Sequence, residues 1–247
     1  MEPIFRQTFS ICERFTDRYR RLTPANLLYF AQEVAGKHCT ELSVDYDTLH
    51  NRHMFWAVIR HRVQISRLPV LGEEITVETW PMPTTRVAYP RSTIGYDASG
   101  NELFRSISLW VLMDTDSRNM ILPGKSGIAV DGILRGIELA TPNSLTIKNS
   151  SDTTLRTVMF SELDRNGHMN NTRYLDWIAD LLPSAFHEHH TLQEFTICYL
   201  SEAREQEEIS LQWHMDENGI MQVAAHRTKT DIHQSKQQIF TAQALFL

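Results

Sequence analysis

Three cysteines in 247 residues are too few for a disulfide framework. Cys12, Cys39 and Cys198 form no Cys-x-x-Cys pair, so a reducing compartment, the cytoplasm, is expected. Cys12 and Cys198 fall inside strand-like runs and read as core thiols. No apolar run reaches the roughly 18 residues that a membrane-spanning helix needs, so no membrane insertion is expected. The first residues, Met1-Glu2-Pro3-Ile4-Phe5-Arg6, show no basic-then-apolar leader pattern. There is no glycine-rich phosphate loop and no His-Glu-x-x-His pair, and no cofactor and no metal are expected. Long basic blocks are missing too. The formal net charge is -6 and the pI about 6.0, which gives no reason to expect nucleic acid. The acidic excess lies in the last hundred residues. The rest is balanced, which leaves room for a local basic patch facing an acidic partner.

What is present is a soluble globular composition, 42% hydrophobic and 22% charged, long enough for one large or two small domains. Residues 4–16 alternate as a strand. Thr23-Pro24 then opens a helix, with Thr23 as N-cap, Pro24 in the first turn and Gly36 placed to end it. A polar connection over 37–53 follows. Strand-like runs occupy 55–66, 74–81, 86–96 and 103–114. Residues 115–150 are rich in Gly, Ser, Asn and Pro and read as a linker. The pattern then restarts with a strand at 154–162, a helix at 171–182, and strands near 192–201, 208–214, 219–229 and 237–247.

The two halves can be superposed as text. Laid so that Asp17 meets Asp164, Thr23 meets Asn170 and Phe30 meets Trp177. Laid so that Glu74 meets Glu208, Gly72-Glu73-Glu74-Ile75-Thr76-Val77 meets Gln206-Glu207-Glu208-Ile209-Ser210-Leu211. The two alignments differ by the longer connection 37–53 of the first half. This is a diverged duplication of a unit with one strand, one central helix and a run of antiparallel strands. The expected fold class is α+β, with domains at 1–140 and 150–247. A helix apolar on much of its circumference needs a sheet curved around it.

Chemistry concentrates between Phe160 and Pro183. Asp164, Asn166 and His168 alternate just before a helix for which Asn170 is the natural N-cap and Pro183 the stop. Taken singly, Asp164 and Asn170 read as caps. Together, a carboxylate, an amide and an imidazole beside the N–H groups of a first helical turn read as a catalytic constellation. The N–H groups near Asn170–Thr172 are candidates for holding an oxyanion.

The pattern Asp-x-Asn-x-His-x-Asn-Asn-x-x-Tyr-x-x-Trp, carried by Asp164, Asn166, His168, Asn170, Asn171, Tyr174 and Trp177 in the second copy of a duplicated unit, resembles the acyl-acyl-carrier-protein (acyl-ACP) thioesterases of bacteria and plant plastids. The resemblance covers nearly the whole chain. It implies a double hotdog fold, in which each of two copies wraps a long central helix in an antiparallel sheet. It implies that the first copy houses the acyl chain and the second carries the chemistry. The family's catalytic Asp, Asn and His fall on Asp164, Asn166 and His168. Its Glu, in a Tyr-x-x-Glu pattern, falls on Glu202 of Tyr199-Leu200-Ser201-Glu202. A cysteine that follows in the plant enzymes is Ala203 here, so a thiolate nucleophile is excluded at that position. The implied activity is hydrolysis of the fatty acyl-ACP thioester, with acyl-ACP as the partner and a homodimer as a further expectation. The alternatives are an acyl-CoA thioesterase and a non-catalytic acyl-binding regulator.

Glu202, with Asp164 as second candidate, is expected to activate water, while Asn166 and His168 orient the groups. Asp164 as a direct nucleophile stays open. In the first copy Asn166 becomes Tyr19, His168 becomes Arg21 and Glu202 becomes Leu68, so one active site per chain is expected. Two further clusters compete weakly. His187-Glu188-His189-His190 lacks metal-ligand spacing and reads as a solvated turn. Arg14, Arg18, Arg20 and Arg21 read equally as a plain surface or as a contact for an acidic carrier.

Overall fold

The computed structural model describes residues 2–147, 150–228 and 237–247. The chain divides into two compact units, Met1–Pro142 and Asn143–Leu247. In the first, the order is β1 (Phe5–Ser10), α1 (Pro24–Glu41), α2 (Tyr46–His50), β2 (Met54–Ile65), β3 (Glu74–Pro81), β4 (Tyr89–Asp97), β5 (Glu102–Asp114), β6 (Met120–Ile121) and α3 (Pro123–Ser126). In the second it is β7 (Asp152–Thr157), α4 (Arg173–Ala179), α5 (Ser184–His189), β8 (Leu192–Tyr199), β9 (Glu208–Met215), β10 (Ile220–Arg227) and β11 (Gln238–Phe246). Each unit is an antiparallel sheet with a helix laid across one face. The first runs β1-β3-β4-β5-β2, with β6 on β5, and the second β7-β9-β10-β11-β8. This is the expected α+β double hotdog. Among the described residues no helix is long and apolar enough to cross a membrane.

The first helix starts where its cap chemistry puts it. Thr23 accepts the N–H of Asn26, and Pro24 spends no donor in the first turn. Phe30 is fully buried, its ring 4.5 Å from that of Phe9 and 4.9 Å from that of Phe15. Truncating such a side chain to alanine costs about 3–5 kcal/mol. Gly36 does not end the helix. Its φ is not positive, and α1 continues to Glu41 because His38 buries its ring against the sheet. A glycine stops a helix by taking the left-handed conformation, not by its presence. The connection expected over 37–53 is accordingly shorter, and α2, capped by Asp45, occupies part of it.

The face under α1 carries a polar row. Arg91 is buried and donates to Thr79 Oγ1 at 3.3 Å, and its Nη1 lies 3.2 Å from His38 Nδ1. Burial, reinforced by the neighbouring Arg91 charge and opposed by a hydrogen bond to Glu2, lowers His38 to a pKa of about 4. Burial alone lowers His61 to about 3. Neither ring nitrogen of His61 has a hydrogen-bond partner among the described residues.

Several expectations are corrected. The second helix, expected over 171–182, spans only Arg173–Ala179. Pro183 then precedes α5, so this unit has a short helix pair where a long central helix was expected. The strand expected over 4–16 stops at Ser10, and Cys12 is exposed rather than a core thiol. Cys198 is buried. The strand expected to 229 ends at Arg227, and residue 229, like positions 148 and 149 of the expected linker, lies outside the described residues.

That linker is a packed strap. In the first unit Ile133 donates to Pro81 O at 2.9 Å, Arg105 to Ile137 O at 2.9 Å and Arg60 to Pro142 O at 3.1 Å. Trp80 donates to Glu138 Oε1 at 3.1 Å, with the Arg135 guanidinium 4.6 Å above its ring. Strand alternation puts Trp80, Arg105 and Arg60 on the face away from α1. At Gly132 an added Cβ would lie 2.1 Å from the Met82 carbonyl, so only glycine fits this crossing. Composition alone cannot tell such a strap from a free tether. In the second unit Asn143 and Leu145 receive bonds from Cys198 and Thr241.

Candidate active site

The second unit's polar knot is folded by Asp164. Its Oδ1 accepts the N–H of Asn166 at 2.8 Å and of His168 at 3.2 Å, and its own N–H donates to His168 O at 2.7 Å. Gly167 closes the turn at φ 75, a left-handed conformation that glycine takes freely. Met169 N–H then donates to Ala203 O at 2.8 Å, and His168 bridges to Arg204. These bonds lay the knot alongside the loop after β8.

The result is one close pair. His168 Nε2 lies 3.1 Å from Glu202 Oε2, with side-chain exposures of 12% and 36%. One end of the pair is shielded and the other is open to solvent. That suits a base which must receive water while its partner fixes its direction. Arg204 Nη2 stands 4.0 Å from the same oxygen. Glu202 opens onto a cleft of about 330 Å³ lined by Ser201, Glu202, Arg204, Glu207, Arg227 and Gln237.

The four expected site residues do not play one part. Glu202 and His168 meet. Asp164 has one carboxylate oxygen, Oδ1, engaged by two backbone N–H groups, as a turn-former does. Asn166 is exposed, and its amide donates to Asp164 Oδ2 at 3.4 Å rather than to His168 or Glu202. The expected oxyanion donors are largely spent. Asn170 N–H donates to Glu162 O, Thr172 N–H to Asn170 Oδ1 at 3.0 Å, and Arg173 N–H to Asn170 O at 2.9 Å. Asn170 thus caps from two residues before Thr172, the geometric N-cap. Behind the site, Tyr174 packs on Tyr199 and Phe240, and Tyr199 donates to Asn171 O at 3.0 Å. Burial pushes both phenols well above their ordinary pKa, so neither serves as a base.

The first unit contains the same knot without its chemistry. Asp17 Oδ1 accepts the N–H of Tyr19 at 2.8 Å and of Arg21 at 2.9 Å, and Asp17 N–H donates to Arg21 O at 2.8 Å. Arg20, at φ 66, stands where Gly167 stands, and Leu22 N–H donates to Pro69 O as Met169 does to Ala203 O. Arg21 pairs with Asp17 at 3.1 Å, and the guanidinium groups of Arg18 and Arg21 lie over the Tyr19 ring.

Sequence reasoning missed Arg227 and Glu207. Arg227 Nη2 donates to Glu202 O at 2.8 Å and to Glu207 Oε2 at 2.9 Å. Only the alignment of Glu207 with Glu73 could have marked the glutamate, and nothing marked the arginine. The histidine-rich stretch, expected as a solvated turn, is the end of α5, where His187 Nε2 lies 3.0 Å from Ala179 O and His190 stacks on Phe186 with centroids 4.1 Å apart. Among the described residues no group of three or more His, Cys, Asp or Glu could hold a metal.

Comparison with known proteins gives a consistent picture. The family model described as the acyl-ACP thioesterase N-terminal domain matches residues 2–122, and that of the acyl-ACP thioesterase C-terminal domain matches 146–244. The chain is 27% identical over 216 residues to a chloroplastic dodecanoyl-[acyl-carrier-protein] hydrolase of Cinnamomum camphora, covering 81% of this chain and 56% of that protein. It is 28% identical over 203 residues to a chloroplastic oleoyl-acyl carrier protein thioesterase of Coriandrum sativum, covering 74% and 54%. The chain spans about half the length of the curated relatives it matches. Its fold is similar to the crystal structure of an acyl-ACP thioesterase from Bacteroides thetaiotaomicron, at a TM-score of 0.86, 20% identity and 99% and 98% coverage. It is also similar to a 12:0-ACP thioesterase from Umbellularia californica, at a TM-score of 0.83, 21% identity and 100% and 98% coverage.

Proposed function

We propose that this chain, which belongs to the acyl-ACP thioesterase family, hydrolyses the thioester of fatty acyl-ACP and releases free fatty acid. The observation that carries the reading is the His168–Glu202 contact at 3.1 Å on the open side of the knot. Glu202 takes a proton from water as the water oxygen attacks the thioester carbonyl carbon. His168 holds the carboxylate in direction through its ring N–H. The tetrahedral intermediate collapses, the C–S bond breaks, and the carrier thiolate leaves and takes up the proton held by Glu202. The carrier thiol and the fatty acid are the products. Asp164 builds the turn that delivers His168, and Asn166 steadies Asp164 from the solvent side. The first unit, with Leu68 in place of a base, receives the acyl chain and cleaves nothing. A reducing cytoplasm belongs to the same proposal.

The test is hydrolysis across matched thioesters. Purified protein is assayed on acyl-ACP and acyl-CoA of several chain lengths, and free thiol is measured. Turnover on acyl-ACP exceeding that on acyl-CoA supports the reading. The reverse order would make the chain an acyl-CoA thioesterase, and binding without turnover would make it an acyl-binding protein.

A further inference from the structure

Glu202 sits on a loop between β8 and β9, outside any strand. A base on a loop needs its direction fixed from elsewhere. Neutral ties include Ser201 N–H to Ile239 O at 3.1 Å, Met169 N–H to Ala203 O at 2.8 Å, and Gln237 Nε2 to Ser201 Oγ at 2.9 Å. A further tie is charged. Arg227, at the end of β10 and largely buried, donates through Nη2 to Glu202 O at 2.8 Å and to Glu207 Oε2 at 2.9 Å. Glu207 Oε2 also accepts the N–H of Arg204 at 3.0 Å. One guanidinium therefore grips both ends of the turn that presents Glu202, through hydrogen bonds of charge-assisted length.

The first unit shows what this turn needs when no base is present. Glu73 accepts Val70 N–H at 2.8 Å, as Glu207 accepts Arg204 N–H. Its cation, however, is Arg67, which donates from Nη1 to Glu73 Oε2 at 2.9 Å from within the same connection. The residue aligned with Arg67 is Ser201, and Arg227, paired with Ile209 across the hairpin, stands where Asp97, paired with Ile75, stands in the first unit. Neutralising the glutamate requires only the local arginine. Arg67 reaches the equivalent carbonyl, Leu68 O, only at 3.4 Å, whereas the cation brought from the neighbouring strand holds the backbone carbonyl of the base itself at 2.8 Å.

We infer that Arg227 is a positioning residue for Glu202, holding the base-bearing turn so that its carboxylate stays on His168. The inference rests on the reading of Glu202 as the base. Displacing a reacting group by about 1 Å costs up to about a hundredfold in rate. Arg227→Met is expected to lower kcat by about ten- to a hundredfold, equally on acyl-ACP and acyl-CoA, with KM within about twofold of wild type. Glu207→Gln breaks the same ion pair but leaves Arg227 on Glu202 O, and should keep kcat within about threefold while lowering Tm as much as Arg227→Met does. Arg227→Lys presents one ammonium in place of a fork, and should fold and lose about tenfold. Wild-type kcat in Arg227→Met would overturn the assignment. If that variant does not fold, wild-type kcat in Arg227→Lys would overturn it. An equal kcat loss in Glu207→Gln would also overturn it, because the effect would then belong to the ion pair. Wild-type protein inactive on both thioesters would instead sink the hydrolase reading.

Discussion

Asp17 and Asp164 hold the same backbone turn in the two units. Each Oδ1 accepts two N–H groups, at 2.8 and 2.9 Å from Tyr19 and Arg21 and at 2.8 and 3.2 Å from Asn166 and His168. Since Asp17 does this beside no base, the bonds belong to folding. Asp164→Asn keeps an oxygen acceptor for both N–H groups, and turnover is expected within about tenfold of wild type, against a loss of about 10²–10⁴ in Glu202→Gln. Asp17→Ala should lower stability by about 1.5–3 kcal/mol with kcat unchanged. Thermal melts and initial rates read both. An inactive but folded Asp164→Asn would return chemistry to that carboxylate.

His168 and Glu202 should behave as one device. His168→Ala is expected to cut kcat by about 10²–10⁴ on its own. In a double-mutant cycle with Glu202→Gln the losses should not add, because each change removes the same function. Additive losses would mean that the two act on different steps.

Acid should loosen the first unit. Folded His38 and His61 have pKa values of about 4 and about 3, below the 6.5 of an unperturbed histidine. Between those values and 6.5 the unfolded chain binds protons that the folded chain refuses. The stability is therefore fully present above pH 6.5 and is lost as pH falls toward 4 and then 3. The slope is at most about 1.4 kcal/mol per pH unit for each group. Calorimetry from pH 7 to 4 should show Tm falling, and His61→Leu should flatten the decline. An unchanged slope in that variant would show that His61 is not among the titrating groups.

Trp177 is fully buried, and its indole N–H donates to Glu162 Oε1 at 2.6 Å. The other oxygen of Glu162 accepts Met159 N–H at 2.8 Å. Glu162→Ala strands a buried donor and should cost about 1–3 kcal/mol. Glu162→Gln keeps an acceptor and should cost less. Urea melts of the two variants separate the hydrogen bond from the charge.

Much of this was legible because local rules agreed with the tertiary structure. Thr23 caps where a threonine before proline should, and the strand runs over 74–81 and 103–114 fall almost where alternation puts them. The misreadings have physical causes. Gly36 was outvoted by the buried contacts of His38. The helix after Asn170 broke early, with Pro183 opening α5 rather than ending a long α4. Glu202 was legible through its Tyr-x-x-Glu setting. Arg227, in a strand with no motif, became visible only when the distance to Glu202 O was known.

The strap bears on whether the halves are separable. Residues 133–142 cover the sheet face that carries Trp80, Arg105 and Arg60. The N-terminal family match stops at 122. A fragment cut there would keep every strand of the first unit, with α1 and α2, but would lose α3 and strip Trp80 of its cover and Arg105 of its carbonyl acceptor. The border drawn by sequence likeness is thus not where the chain can be cut. An excised first half should be soluble when it ends at 142 and prone to aggregate when it ends at 122.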